Sequence, residues 1–440
     1  MIKESIAASC GFRNGGRYDT VVVGGGPAGF GAAMASARRG LKTLLIESSG
    51  YVGGVGTKCC APIYAGFGVE GVQLISGVCE EFIRRMDELG AASFTINNSF
   101  LMPTFKPIGD APITCKVQFK PEYMKLVFRR MLEEAGVECL FYTQFVDAVV
   151  KDSRISAILV SCMEGSTLIE GDTFIDCTGD ALVCHAADPA SVVKYSEEYN
   201  MHKSMFFLVG GVTPFNVEYN RKLYAELYKE GRVPGQVWAS FSISGQLTPG
   251  IFQIAMCFTT GDGVNSADMT RMDGELRENV FRMMDFLHQE MPGFENCYLL
   301  DTPQKIGVRA GQGIIGKESV DDESVYGECA TTVALTSRWY GAHSNKKNEF
   351  SSSWAKNDEG IGHVPMGALV PRALKNVLAA GRCISSDPKY ISVFRMMSTC
   401  MTLGEAAGLM SFAARSKKID VCDVEYADLL PLLKENSFIL

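Results

Sequence analysis

The sequence predicts an α/β fold: a Rossmann-like dinucleotide-binding domain assembled from both ends of the chain, with an α+β substrate lobe inserted between them. Three observations carry this expectation. Residues 21–54 hold an apolar strand, a glycine-rich turn, a small-residue helix and a second strand that ends in an acid. Residues 376–415 return to the same style, with a short buried strand, a Gly-Arg turn and another small-residue helix. Between about 200 and 350 the character changes to mixed strands, long helices and more aromatic side chains.

The opening unit is the most specific. Val21-Val22-Val23 reads as a buried strand and Gly24-Gly25-Gly26-Pro27-Ala28-Gly29 as the turn after it. Gly24 suits a tight turn, Gly26 lets a pyrophosphate approach the backbone, and Gly29 lets the helix pack closely on the strand. Phosphates would lie on the helix N-terminus with Pro27 and Ala28, where free N–H groups and the macrodipole favour negative charge. The pattern runs through Ala33 and Gly40 to Thr43-Leu44-Leu45-Ile46 and Glu47. An acid about 20 residues after the glycines is placed to accept ribose hydroxyl hydrogen bonds. Gly53 and Gly54 follow it.

Composition bounds the rest. At 440 residues the chain exceeds the usual single-core range, so two lobes are expected. Hydrophobic residues at 47% and charged residues at 21% describe a globular protein. A net charge of −8 argues against a nucleic-acid partner, and the sequence holds no apolar run long enough for a membrane span. The first 17 residues do not read as a signal peptide, so a cytoplasmic location is expected. Fifteen cysteines, an odd count without C-x-x-C pairs, fit reduced thiols and supply no iron–sulfur or zinc spacing. No metal is expected.

Further along, residues 74–89 and 121–135 read as amphipathic helices, the second opened by Pro121 and closed by Gly136. Strands are expected over 137–142 and 145–150, and a hairpin over 154–162 and 166–174. In the lobe, strands are expected over 206–212, 238–244 and 251–258, and helices over 219–230 and 274–290. The final unit has a strand at 376–380 and a helix over 402–415 containing Gly404, Ala406, Ala407 and Gly408. Small residues there permit close approach to a backbone or flat ligand. Gly311-Gln312-Gly313-Ile314-Ile315-Gly316 also spells G-x-G-x-x-G, but it lacks the flanking strands and reads as no second nucleotide site.

With these segments in place, the chain resembles the FAD-dependent oxidoreductases of the FAD_oxidored family from residue 18 to 433. The carriers are the opening fingerprint through Glu47 and Gly53-Gly54, Gly77-Val78-Cys79-Glu80-Glu81-Phe82 and Ile175-Asp176-Cys177-Thr178-Gly179-Asp180. Others are Met201-His202-Lys203-Ser204, Ile306-Gly307-Val308-Arg309, Gly381-Arg382-Cys383, Arg395-Met396-Met397 and Gly404-Glu405-Ala406-Ala407-Gly408. The resemblance implies a three-layer, glutathione-reductase-like domain for FAD, built from residues 18–195 and 355–433. Part of 65–120 would lie on its active-site side, 196–354 would form the inserted lobe, and 1–17 an N-terminal extension. Relatives carry further arginines after the position of Arg309. Here Ala310-Gly311-Gln312-Gly313 follows, so the anion recognition that those arginines imply is not carried over.

The expected FAD contacts are Gly24, Gly26, Pro27, Ala28, Gly29, Glu47, Gly53, Gly54, Thr178, Gly179, Asp180, Gly381, Arg382, Arg395, Thr402 and Gly404. His343 and His363 are candidates to take a substrate proton as hydride leaves for flavin N5. Cys59 is expected to line the active site, and Arg309 and His202 to bind substrate. The expected activity is hydride transfer between a small organic substrate and flavin N5. Alternatives are a thiol/disulfide oxidoreductase using Cys59 and Cys60, an electron-transfer subunit of a larger complex, or a chain that binds flavin without catalysis. A small-molecule substrate is the expected partner; a second copy of the chain or a redox partner protein is left open.

Overall fold

The computed structural model describes residues 11–61, 63–69, 72–93, 104–108, 111–114, 116–245, 248–337 and 360–440. The chain opens with β1 (Arg13–Val23), α1 (Pro27–Arg38) and β2 (Thr43–Ile46). Two amphipathic helices, α2 (Gly77–Glu88) and α3 (Pro121–Glu134), precede β3 (Glu138–Leu140), β4 (Gln144–Lys151), β5 (Arg154–Cys162) and β6 (Gly165–Asp176). The strands form a sheet in the order β3-β2-β1-β6-β5-β4. β3, β2, β1 and β6 run parallel, whereas β6, β5 and β4 form an antiparallel meander.

Strand alternation turns this sheet into three layers. Val22, Leu45 and Ile175 join a core shared with the helices, through Phe30 of α1, Phe82 of α2 and Phe128 of α3. Val21, Leu44 and Phe174 point the other way, into a core with Ile155, Ile158 and Ile169 of the meander. Parallel strands buried on both faces read as continuous apolar runs, which is why 21–23 and 43–46 carry no polar alternation.

The lobe has β7 (Lys203–Gly210), α4 (Val217–Lys229), β8 (Ile243–Gly245), β9 (Phe252–Thr259), α5 (Ser266–Glu290) and β10 (Tyr298–Asp301). Its sheet is antiparallel in the order β8-β9-β7-β10. Met205, Phe207 and Val209 of β7 enter a separate core with Tyr224 of α4 and Leu276, Val280 and Met283 of α5. Two expectations shift here. Gly274 does not start the helix: it sits in the middle of α5 on the exposed face, and the cap is Asn265, whose side chain accepts from the Asp268 amide. The apolar run 238–244 becomes a regular strand only at Ile243, although the Trp238 amide already donates to the Met256 carbonyl of β9; Trp238, Phe241 and Ile243 are all core residues.

Residues 312–314 form a short strand against 192–194, so the second G-x-G-x-x-G makes no phosphate turn. The chain then returns with β11 (Val377–Ala379), parallel to β6, and α6 (Met397–Lys417). α6 packs along α1 at three glycines. A Cβ on Gly31 would lie 2.2 Å from the Met401 carbonyl, on Gly404 1.9 Å from that of Ala28, and on Gly408 2.6 Å from that of Ala32. No larger residue fits these contacts.

Candidate active site

The carboxyl ends of the parallel strands are in register: Val23 lies beside Ile46 and Asp176, Leu140 beside Ile46, and Ala379 beside Asp176. In an open α/β sheet this edge is where ligands bind. A cleft runs along it. Its walls include Gly24, Gly26, Pro27 and Ala28, then Glu47, Gly54, Lys58 and Cys59. Thr178, Gly179, Gly381, Arg382, Arg395 and Met397 continue the walls, and Lys305, Ile306 and Val308 of the lobe close one side.

Backbone geometry builds the turn. Gly24 has φ +103°, and a Cβ there would lie 2.5 Å from the Cys177 carbonyl. Gly29 is tighter, with the Gly24 carbonyl 1.8 Å from its would-be Cβ. Gly26 differs: its Cβ would meet nothing within 4 Å. It caps α1 without a side-chain acceptor, so the first amides of this twelve-residue helix are left to the cleft.

Glu47 is buried at the end of β2. Its carboxylate accepts from the Gly25 amide at 2.9 Å and the Ser49 amide at 2.7 Å, and pairs with the Lys58 ammonium. Burial pushes its pKa up, but Lys58 and the amides outweigh that and hold it below the usual value. On the other side, buried Asp176 organises the 178–184 turn. It accepts from the Thr178 hydroxyl at 2.7 Å and from the amides of Val183 and Cys184 at 2.8 and 3.0 Å. Burial raises its pKa. Gly179 takes φ +83° there, and Arg382 lies against it while donating to Asp180 at 2.7 Å. The first turn of α6 contributes Met397 and Cys400 to the wall, so a second long helix brings its amino end to the cleft.

The family profile described as FAD dependent oxidoreductase matches residues 19–433. The chain belongs to the FAD dependent oxidoreductase family. Its cofactor is FAD, and it is an oxidoreductase. The tRNA uridine 5-carboxymethylaminomethyl modification enzyme MnmG of Alkaliphilus oremlandii is 27% identical over 149 residues, 33% of this chain. The match spans 22% of that relative's length. Among solved structures, a geranylgeranyl bacteriochlorophyll reductase-like protein of Thermoplasma acidophilum aligns at 12% identity and TM-score 0.49, covering 97% of this chain and 84% of that one. A flavoprotein/dehydrogenase of Cytophaga hutchinsonii aligns at 13% identity and TM-score 0.48, covering 95% and 83%.

This oxidoreductase has a cleft that suits FAD. Open space at Gly26 before an uncapped helix fits a pyrophosphate, and Glu47 at the end of β2 fits a ribose. The amino end of α6 fits a flavin ring that gains negative charge.

The expected FAD residues separate into two groups. Gly24, Gly26, Pro27, Ala28, Glu47, Gly54, Thr178, Gly179, Gly381, Arg382 and Arg395 line the cleft. Gly29, Gly53, Asp180, Thr402 and Gly404 stand behind the wall and hold it in shape. Gly29 supports Gly24, a Cβ on Gly53 would meet the Thr57 side chain, and Asp180 fixes Arg382. Buried Thr402 donates to the Ser398 carbonyl at 3.3 Å, and Gly404 meets α1 rather than a ligand.

The catalytic expectations change more. His343 lies outside the described residues. His363 sits on the strand Ile361–Pro365, its Nδ1 3.1 Å from the Thr332 hydroxyl, and it is not part of the cleft wall. Cys59 does line the cleft, but burial pushes its thiol up to about 11 and that of Cys60 to about 12. Thiol chemistry needs the opposite shift. Both are free thiols. Arg309 and His202 lie together in the lobe just beyond the cleft wall: Arg309 donates to the His202 carbonyl and the Ser204 hydroxyl, each at 2.9 Å. Sequence reading missed Lys58, Lys305 and Lys203. Lys203 is completely buried and donates to the Met201 carbonyl at 3.0 Å; burial and the charge of Arg382 hold it down to about 8.

Proposed function

We propose that this FAD dependent oxidoreductase transfers a hydride between a carbon of a small organic substrate and flavin N5, with the substrate seated between the lobe and the amino end of α6. The observation that carries this reading is the cleft itself. Ile306 and Val308 of the lobe face it from one side, and Arg395, Met397 and Cys400 from the other. Bound FAD supplies the redox chemistry, and the chain supplies position, charge and exclusion of water.

Each part of the chain has a task in this reading. Gly26 and the first amides of α1 hold the pyrophosphate, and Glu47 orients the ribose. Arg382, fixed by Asp180, stands at the pyrophosphate or ribityl stretch as a partly buried positive charge. The apolar side chains Ile306, Val308 and Met397 keep water from the reacting carbon.

Among the described residues no helix is long and apolar enough to cross a membrane. The thirteen described cysteines are all free thiols, which supports a reducing compartment, and we place the protein in the cytoplasm.

The test is anaerobic mixing of the FAD-loaded protein with a panel of metabolites while the flavin absorbance is followed. One substrate class should bleach the flavin band within turnover time. A protein that cannot be loaded with FAD, or whose flavin no metabolite reduces, would refute the reading.

A further inference from the structure

A short segment ties the lobe to the FAD domain beside the cleft. After the helical turn Val55–Lys58 begins, three consecutive residues each bond the lobe. The Lys58 carbonyl accepts from the Lys305 amide at 3.1 Å, and the Cys59 thiol donates to the Ile306 carbonyl at 3.7 Å. The Cys60 carbonyl accepts from the side-chain amide of Gln253 on β9. A fourth bond runs beside them, from the Tyr51 hydroxyl to the Gln304 side chain at 2.7 Å. The segment faces the cofactor site as well: Lys58 and Cys59 line the cleft, and Lys58 pairs with Glu47. On the lobe side, Lys305, Ile306 and Val308 line the same cleft.

Cys60 holds the strained position. Its φ is +51°, a left-handed conformation that costs a residue with a Cβ and that glycine adopts freely. The residue after a helix C-cap is commonly glycine for that reason. With cysteine there, the turn keeps this shape at a cost, and the Gln253 amide offsets it. Gln253 is 2% exposed and sits on a central strand of the lobe sheet, opposite Leu208 of β7 and Ser244 of β8. A rigid strand thus reaches out with a buried amide and grips the peptide that follows Cys59. If that peptide turned, the Lys58 carbonyl and the Cys59 thiol would turn with it and leave Lys305 and Ile306.

Resting on the function proposed above, in which the lobe wall bounds the substrate, we propose that Gln253 is a positioning residue for the reaction. It locks Cys60 in its left-handed turn, and the turn holds Ile306 and Val308 in place across the cleft from Met397. Gln253 is not part of the cleft wall; it acts through the 58–60 peptide.

The test reads this seam through Cys59, whose residue is 6% exposed while the lobe is seated. Full-length, FAD-loaded protein is treated with iodoacetamide, and labelling at Cys59 is timed by mass spectrometry. Cys79 of the FAD-domain core and Cys257 of the lobe core serve as internal references. Alkylation proceeds through the thiolate, so it is slow at a buried thiol and accelerates when the seam opens to water. Q253L should label Cys59 about 10-fold faster than wild type, with Cys79 and Cys257 unchanged. Q253L/C60G should return to within about 2-fold of wild type, because glycine keeps the turn without the amide. C60V leaves Gln253 in place but puts a β-branched side chain at φ +51°. It should label Cys59 about 5-fold faster, and it keeps the test available if Q253L does not fold. A wild-type rate at Cys59 in Q253L or C60V, equal acceleration at all three cysteines, or no recovery in Q253L/C60G would overturn the proposal. Labelling needs neither bound flavin nor substrate, so protein that takes up no FAD fails the function reading alone, while Cys59 still reports on the seam.

Discussion

The amide of Gly25 donates to the carboxylate of Glu47 at 2.9 Å, tying the phosphate turn after β1 to the acid at the end of β2. The same carboxylate holds the Ser49 amide and the Lys58 ammonium. One buried side chain therefore fixes two loops of the cleft wall and faces the cleft in which we propose the ribose lies. In the proposed reading, replacing it removes a cofactor contact and leaves the partly buried Lys58 without its carboxylate.

Glu47→Ala should lower both FAD content and stability. Breaking a buried ion pair from one side costs about 3–5 kcal/mol, and a lost charge-assisted hydrogen bond to FAD about 2 kcal/mol more in affinity. The pH dependence follows from the lowered pKa of Glu47. A carboxylate held below its unfolded value contributes stability above that value, and the contribution is lost as pH falls through the folded pKa. Acid unfolding of the wild type should thus begin below about pH 4.5 with a component that E47A lacks. Thermal melts at several pH values, with FAD counted by absorbance, check this; FAD content and acid transition equal to wild type would remove the assigned role.

Gly26 and Gly29 should behave oppositely when changed to alanine. Gly26 has φ −73° and open space at its would-be Cβ, so G26A should fold with a Tm close to wild type. The new methyl occupies the pyrophosphate's approach, and FAD affinity should fall by 10-fold or more, about 1.4 kcal/mol per decade. Gly29 has the Gly24 carbonyl 1.8 Å from its would-be Cβ, so G29A must shift the helix off the strand, at about 1–3 kcal/mol or more. A G26A protein that loses Tm but keeps FAD would contradict the assignment of that space to the cofactor.

How much of this was legible in the sequence depends on the range of the interaction. The turn at 24–29 could be read because its constraints are local: Gly24 takes a positive φ, Gly29 meets the Gly24 carbonyl, and Gly26 leaves open space at the start of the helix, all within one β-α-β unit. The small residues of α6 were legible as a close contact, but not its partner: Gly404 meets Ala28 across the domain, which spacing within one segment does not encode. Lys58, Lys305 and Lys203 gave no signal, because a single lysine reads as surface until the fold brings Glu47, the cleft or the lobe core to it. His363 misled for the same reason: proximity to the C-terminal unit in sequence placed it on a strand beside Thr332, not on the cleft.

Cys59 and Cys60 should be dispensable for flavin chemistry. With thiols raised to about 11 and about 12 by burial, little thiolate exists near pH 7. The double variant C59S/C60S should keep FAD and reduce within about 2-fold of wild type, and iodoacetamide should label both positions slowly in the native protein. Loss of substrate-dependent flavin reduction in the double variant, with FAD still bound, would revive a thiol role.

Glu405 sets a different pH limit. It lies on α6, completely enclosed, and accepts from the Val78 amide at 3.0 Å at the start of α2. Burial raises its pKa to about 8, against the hydrogen bond from Val78 and the charge of Arg38, with Glu81 adding to the rise. The folded state therefore binds a proton that the unfolded chain has released above about pH 4.5. Stability from this site is fully present below that pH and is lost as pH rises through about 8. Glu405→Gln keeps an acceptor for Val78 and cannot ionise, so its Tm should exceed wild type at pH 8 by several degrees and match it near pH 5. Denaturant midpoints at the two pH values give the same comparison without heating. A gain that is equal at both would show that Glu405 is not the group whose proton the fold retains.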